Sequence, residues 1–540
     1  MWGFMSRIFW LELNIPKRLV KKTFEKYFGT EDYIIENREE AIKLLIDTVN
    51  KIQVKMLERI RLENSQNIIK NLYKILDECH HFYMRQKEAR ANMIQLNING
   101  EAITDVFEQN RNISRNIIDA INIWIENSVL KQGKSDVKYD NSNFDLDYEL
   151  LIDMYIYGLV SQAVSLLSLS KKFENKKLFY GLSVTPKKDI PIDVLREHPE
   201  IYFNTLMSGN QNILTPIPLT LDANSTEFGI GFKNEYGVEF LFFLAVICYF
   251  QETVLSKGEV GLIILDKADF IKQIELATNP KINASNILKN FTLTKENIAS
   301  QLRRNDPIIW MVGTNKIRHE LRPFILLDNG RVMISYCALE QSKQLWVSLF
   351  SNGGMCYTNK KDLLTVAIAK RNKELSDRLV QKIREKFQNH YESTFDEIDV
   401  KYNRIYGNRP INYGDFDLMF YSKTTNELFL VEAKFFSDSL TSSGIITDYE
   451  KLFIEDGYYD RCRRRYDLIL EEPEPLREFL GIKGEMKVHF LFISSKPLDI
   501  EVQDKDGMVT FLCLSIFDKY LEGKLIKSED DSIVRPVHII

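Results

Sequence analysis

Tyr413-Gly-Asp-Phe-Asp-Leu-Met-Phe-Tyr421, followed after Thr424-Thr-Asn426 by Glu427-Leu-Phe-Leu-Val-Glu-Ala-Lys434, is the stretch from which the fold is read. Both halves alternate or run apolar as strands do, and the polar triplet between them is turn material, so the pattern predicts a hairpin. Side chains two positions apart on a strand share a face. Glu432 and Lys434 therefore project together, Ala433 points the other way, and Asp417 arrives from the neighbouring strand. Charges set among Phe, Leu, Met and Val are costly to desolvate unless they are paired or bound to a metal. A divalent cation resolves this, since Mg²⁺ typically takes one or two carboxylates and leaves its other positions to water and phosphate oxygens. Asp417 and Glu432 are the candidate metal ligands, with the Ala433 backbone carbonyl as a third oxygen, and Lys434 is suited to position or help deprotonate a water. The implied chemistry is metal-assisted hydrolysis of a phosphodiester, with Mg²⁺ as cofactor and Mn²⁺ as its substitute. An exposed hairpin carrying an ordinary Glu/Lys pair is the competing reading.

Gly414-Asp-Phe-Asp417 followed by Val431-Glu-Ala-Lys434 resembles the PD-(D/E)XK nuclease superfamily over roughly the last third of the chain. The resemblance implies a restriction-endonuclease-like core ordered as a helix, a three-stranded meander, a second helix and a further strand. It implies Asp417, Glu432 and Lys434 as the catalytic residues. Asp415 sits where many members carry an extra acid, and Asp377 is the candidate acid on the first helix, with Glu374 and Glu385 as rivals. The family's proline is missing, since Gly414 and Phe416 occupy that neighbourhood. Tyr466 is similar to a tyrosine of some exonuclease branches, but Cys462 stands where their glutamine would, so that branch is not supported. A large accessory part ahead of a C-terminal nuclease resembles effectors of bacterial antiviral (phage) defence. That implies a DNA endonuclease, with RNA left open as substrate and a partner protein or homo-oligomer left open as assembly. A catalytically inactive nuclease-fold scaffold or nucleic-acid-binding subunit is the alternative.

The elements of that core can be traced. Lys370 to Tyr391 is amphipathic and supplies the first helix; Phe395 to Tyr402, Phe416 to Tyr421 and Leu428 to Ala433 are the strands. Asp448 to Leu470 reads as the second helix, Val488 to Ser494 and Thr510 to Ser515 as further strands, and Ile516 to Leu521 as a short closing helix. The second helix carries Arg461, Arg463, Arg464 and Arg465. Arg461, Arg464 and Arg465 are the candidates to grip phosphate oxygens of a nucleic acid backbone, pairing with Glu471 and Glu472 being the alternative.

At 540 residues the chain has room for about three domains. Glu39 to Asn99 lacks glycine and proline and repeats apolar residues at three-and-four spacing, and similar patterns run over Ile113 to Trp124 and Tyr148 to Leu167. His80-His81 has no acidic or cysteine partner at metal-ligand spacing and reads as structural or surface. Prolines and lapsed periodicity over Gly181 to Pro218 predict a domain boundary or crossing loop. Beyond it, Glu239 to Leu255, Lys267 to Ala277 and Asn286 to Leu302 read as helices, Val260 to Leu265 as a strand, and Asp328-Asn-Gly330 as the turn of a hairpin. Arg303-Arg304 and Lys316, Arg318, His319 and Arg322 form basic clusters, read as solvated surface charge with contact to nucleic acid as the alternative. The expected class is thus α+β and multidomain: an N-terminal all-helical region (1–180), a mixed α/β regulatory or recognition region (181–360), and a C-terminal restriction-endonuclease-like α/β core (361–540).

A net charge of −5 announces no global field for a polyanion, yet a local basic groove suffices to bind phosphates. Six scattered cysteines without CxxC pairs read as reduced, mostly core thiols of a cytoplasmic protein. Met1 to Trp10 lacks the pattern of a secretion signal, and the longest apolar run, Phe240 to Phe250, is too short to span a bilayer, so no membrane partner is expected.

Overall fold

The computed structural model describes residues 13–29, 37–63, 65–95, 101–131, 146–168, 173–178, 184–188, 219–257, 261–277, 284–299, 319–353, 362–411, 413–436, 451–453, 456–495, 502–504, 506–525 and 532–540. The described parts of Met1–Lys187, Leu219–Phe350 and Met355–Ile368 form one compact unit, and those of Ser351–Gly354 and Ala369–Ile540 a second.

The first unit begins with five helices: α1 (Lys17–Phe28), α2 (Arg38–Leu62), α3 (Ser65–Gln95), α4 (Glu101–Leu130) and α5 (Tyr148–Ser168). Asn37 starts α2 by accepting the Glu39 and Glu40 N–H groups, which would otherwise lack acceptors at a helix start. Strands β1 (Phe173–Leu178) and β2 (Val184–Lys188) pair with each other; the rest of the expected boundary, 189–218, lies outside the described residues. Helices α6 (Glu227–Tyr236) and α7 (Phe240–Lys257) are followed by β3 (Leu262–Asp266), α8 (Lys267–Ala277), α9 (Ala284–Asn290), β4 (Thr292–Leu293), α10 (Lys295–Ala299), β5 (Phe324–Leu326), β6 (Arg331–Ser335) and α11 (Tyr336–Asn352). The sheet runs β3-β6-β5-β4.

The all-helical and mixed regions, expected to be separate, share this unit. In β6, Met333 joins the core made by Leu45, Ile52, Leu72, Ile121 and Met154, while its neighbours Val332 and Ile334 join a second core with Phe243, Ile247 and Phe250 of α7. One pleated strand thus feeds two apolar layers, and the first of them is shared between the helical and mixed regions. Phe240, Phe243, Leu244, Val246, Ile247 and Phe250 of the apolar run are buried while Ala245 and Cys248 are exposed, and among the described residues no single helix is long and apolar enough to cross a membrane. The predicted helix over Asn286 to Leu302 is broken at Thr292–Leu293. There Thr294 and Asn297 exchange side-chain-to-backbone hydrogen bonds that start a new helix. His319 is no surface cation: it is buried between Tyr73 and Asn122, and burial pushes its pKa down to about 3. Arg303, Arg304, Lys316 and Arg318 lie outside the described residues. Cys79, Cys337, Cys462 and Cys513 are buried, Cys248 is exposed, and Cys356 lies outside the described residues.

The second unit contains most of α12 (Leu363–His390), then β7 (Phe395–Lys401), α13 (Asn403–Tyr406), β8 (Asp415–Ser422), β9 (Glu427–Lys434), α14 (Tyr458–Glu471), α15 (Glu474–Leu480), β10 (Lys487–Ser494), β11 (Thr510–Cys513), α16 (Phe517–Leu521) and β12 (His538–Ile539). The sheet order is β11-β10-β9-β8-β7, with β12 also on β10. The meander β7-β8-β9 is antiparallel, whereas β9, β10 and β11 are parallel. A parallel neighbour requires a crossover, and α14 lies in the connection from β9 to β10. Leu379, Ile383 and Phe387 of α12 cover one face of the sheet with Leu418, Phe420, Phe429, Val431 and Ile493. Tyr459, Cys462, Tyr466 and Ile469 of α14 cover the other with Met419, Leu428, Leu430, Val488 and Phe490. Burial on both faces accounts for the nearly unbroken apolar run of β10. Within the predicted helix Lys451–Phe453 are helical, but α14 itself starts only at Tyr458, because Asp456 takes φ +59° and Gly457 is extended.

Candidate active site

The site forms where the β8/β9 ladder gives out. Pairing runs from Ser422↔Glu427 to Leu418↔Val431, and the next step would set Asp417 opposite Glu432. Instead the Asp417 carboxylate accepts the Ala433 backbone N–H at 2.7 Å through Oδ2. The other neighbour is irregular at the same level. Strand β7 pairs with β8 at Ile398↔Leu418 and Val400↔Phe416, but Asp399 between them has φ +55° and no paired partner. Asp417 is thereby released from regular pairing on both sides.

Glu432 and Lys434 project from β9 toward α14, on the face of Leu428 and Leu430, as the two-residue period requires. Lys434 Nζ lies 2.6 Å from Glu432 Oε1 and 3.2 Å from Asp417 Oδ2, so one ammonium bridges both carboxylates. A fourth group enters from α14: Arg465 Nη2 donates to Glu432 Oε2 at 2.6 Å. Glu432 is 6% exposed and Arg465 only 3%, so this ion pair is shielded from water. Aromatic rings border the cations, with the Lys434 ammonium 5.3 Å from the Tyr458 centroid and the Arg465 guanidinium 5.3 Å from that of Phe416.

Burial first, then the negative charge of Glu432, pushes the Asp417 carboxyl up to about 6 against the pull of Lys434 and the Ala433 amide. Burial also acts to raise Glu432, but Arg465 and Lys434 outweigh it and hold that carboxyl below its ordinary range. For Lys434 burial acts downward and is outweighed by Glu432 and Asp417, which hold the ammonium above its usual value. The structure thus has two acids with unlike proton affinities around a firmly charged lysine.

Asp417, Glu432 and Lys434 are brought together; the accessory acids are not. Asp377 is exposed on α12, whose apolar side covers the opposite face of the sheet. Its rivals Glu374 and Glu385 pair with Arg371 and Lys382 on the same helix. Asp415 is exposed at the start of β8. Among the described residues no group of three or more His, Cys, Asp or Glu is placed to hold a metal ion. A cation here is therefore limited to two carboxylates, a number that suits Mg²⁺. The donor chemistry fits: both are hard oxygen ligands, and the hydrogen bonds to Asp417 fall on Oδ2, with none to Oδ1 among the described residues. Ala433 contributes its N–H to Asp417, and its side chain is buried on the α12 face.

The arginines of α14 part company. Arg461 lies over the Tyr458 ring and donates to the Asp456 carbonyl, and Arg464 pairs with Asp456. Arg463 is committed to Asp467, Asp504 and Asp506. Arg465 turns inward and shares the buried side of α14 with Cys462, Tyr466 and Ile469. Glu472, the partner expected for these arginines, is taken by Arg409. The Glu432–Arg465 pair escaped sequence reasoning, although the spacing Cys462, Arg465, Tyr466, Ile469 would have placed the arginine on the apolar side. No family model, curated relative or solved structure matches the chain.

Proposed function

We propose that the second unit is a metal-dependent nuclease that hydrolyses phosphodiester bonds, with DNA as the favoured substrate and an endonuclease effector of bacterial antiviral defence as the role. The observation that carries this reading is the single lysine shared by a buried carboxylate, Glu432, and a half-buried one, Asp417, at the point where the hairpin ladder stops. The order of helix, antiparallel meander, helix and parallel strand supports the restriction-endonuclease-like assignment of that unit.

Asp417 and Glu432, with the Ala433 carbonyl, would hold Mg²⁺ or Mn²⁺. Such an ion supplies Lewis acidity and a bound water of lowered pKa. Lys434, fully charged and tethered between the acids, orients a water beside the scissile bond and offsets negative charge gathering on the phosphoryl oxygens. Arg465 fixes the Glu432 carboxylate through Oε2, leaving Oε1 to be exchanged between Lys434 and a cation. The second reading is a nuclease-fold scaffold without activity. It is favoured by the cationic partner on each Glu432 oxygen and by the lack, among the described residues, of a third acid.

The deciding experiment incubates the purified chain with plasmid DNA and with RNA, in Mg²⁺ or in chelator. Cleavage that needs Mg²⁺ and is lost in Glu432→Gln, Asp417→Asn and Lys434→Met is expected. Cleavage indifferent to these substitutions would exclude the site, and no cleavage of either substrate would favour the scaffold.

A further inference from the structure

Arg465 leaves most of its hydrogen-bonding capacity unused. A guanidinium carries five N–H donors and cannot shed its charge. Here Nη2 finds Glu432, but Nε and Nη1 are buried and have no hydrogen-bond partner among the described residues. Buried donors are nearly always satisfied in folded proteins, because an unmet one forfeits its hydration without return. The surroundings keep the group in place rather than satisfy it. Phe416 lies against the guanidinium, and Gly414 faces its end, where a Cβ would stand 3.9 Å from Cζ and 4.0 Å from Nη1. Gly414 has φ +76°, a conformation that favours glycine.

We propose that Arg465 is a fixed anion-binding group beside the acidic pair, taking a phosphate oxygen through the donors that the protein itself leaves unmet. Only the identity of the anion, a phosphodiester of the substrate strand, rests on the nuclease reading. A guanidinium suits this ligand because it presents several N–H groups in a rigid plane to oxygens that lie close together. Glu432 is bonded to Arg465 and shares Lys434 with Asp417, and these carboxylates repel an anion until their charge is offset. The anion site is therefore weak in the bare protein and strengthens when Glu432 loses its charge.

The test uses the full chain in chelator, with inorganic phosphate followed by calorimetry and a short labelled duplex DNA followed by anisotropy. Glu432→Gln keeps an oxygen for Nη2 but removes the competing charge, and is expected to bind both probes about tenfold more tightly than wild type. Adding Arg465→Lys keeps the positive charge but removes the extra donors, and is expected to erase that gain. Arg465→Gln in the same background serves if the lysine variant loses its amide protection in hydrogen exchange. Tight binding retained in both double variants, or no binding of either probe by Glu432→Gln, would overturn the proposal. Cleavage by wild type in Mg²⁺ is scored separately. Anion binding without cleavage would sink the nuclease reading alone, and cleavage with Arg465-independent binding would sink the anion site alone.

Discussion

Removing Glu432 should expose how much of the second unit's stability hangs on one buried ion pair. The Glu432 side chain is 8% exposed and that of Arg465 is 4%, with 2.6 Å between Oε2 and Nη2. Two unit charges about 4 Å apart at an effective dielectric near 20 attract by about 4 kcal/mol, and breaking such a pair by truncating one partner typically costs about 3–5 kcal/mol. Glu432→Leu is therefore expected to destabilise the unit by about 3–5 kcal/mol, and Arg465→Met by a similar amount. The double variant removes both charges and replaces them with apolar volume, so it should recover a coupling energy of about 2–3 kcal/mol relative to the sum of the singles. Tryptophan emission will not see this, because all five tryptophans lie at or before Trp346, ahead of the second unit's Ala369–Ile540. Hydrogen exchange in denaturant, read on peptides from β8, β9 and α14, is the suitable assay. Single substitutions that cost under about 1 kcal/mol, or that simply add, would refute the claim that the pair is coupled as a buried one.

The same tryptophans make the first unit's pH response readable. Burial, reinforced by Glu78, pushes Asp77 up to about 7 against its hydrogen bonds with Cys337 and Ser335. A carboxyl raised in the folded state contributes stability that is complete below its ordinary value near 4 and is lost as pH rises through about 7. The difference between wild type and Asp77→Asn in urea melts should accordingly decline by up to about 4 kcal/mol over that window, and parallel curves would contradict the burial. His319 runs the opposite way: depressed to about 3 by burial, it gives stability present above about pH 6.5 and lost as pH falls toward 3. His319→Gln should flatten that acid limb in the same melts. Gly158 permits close approach of α5 to α4, since a Cβ there would lie 2.1 Å from the Asn116 carbonyl oxygen. Gly158→Ala should cost about 3 kcal/mol or force the helices apart, either of which lowers the tryptophan-detected midpoint.

Local pattern made part of this architecture legible. The β8 and β9 hairpin announces itself through apolar strands and a polar turn, and Asn426 supplies the left-handed conformation (φ +54°) that the turn requires. The shared face of Glu432 and Lys434 follows from strand period alone. What stayed hidden depends on distant partners or on competition between local signals. Arg465 is 33 residues from Glu432, so its inward turn shows only once α14 is laid on the sheet. Asp377 carries the right chemistry, but its helix packs on the opposite face. The break at Thr292–Leu293 reflects a capping exchange between Thr294 and Asn297 that overrides apolar periodicity. The merging of the helical and mixed regions arises because β6 is apolar on both sides.

The bond from the Ala433 amide to Asp417 restricts which substitution can separate chemistry from architecture. The carboxylate stands in for a missing rung of the hairpin, so its length matters as much as its charge. Alanine would strand the amide, and the extra methylene of glutamate would overshoot it. Asparagine alone keeps an oxygen at the required reach while discarding the negative charge, which makes Asp417→Asn the variant whose silence can be attributed to lost chemistry.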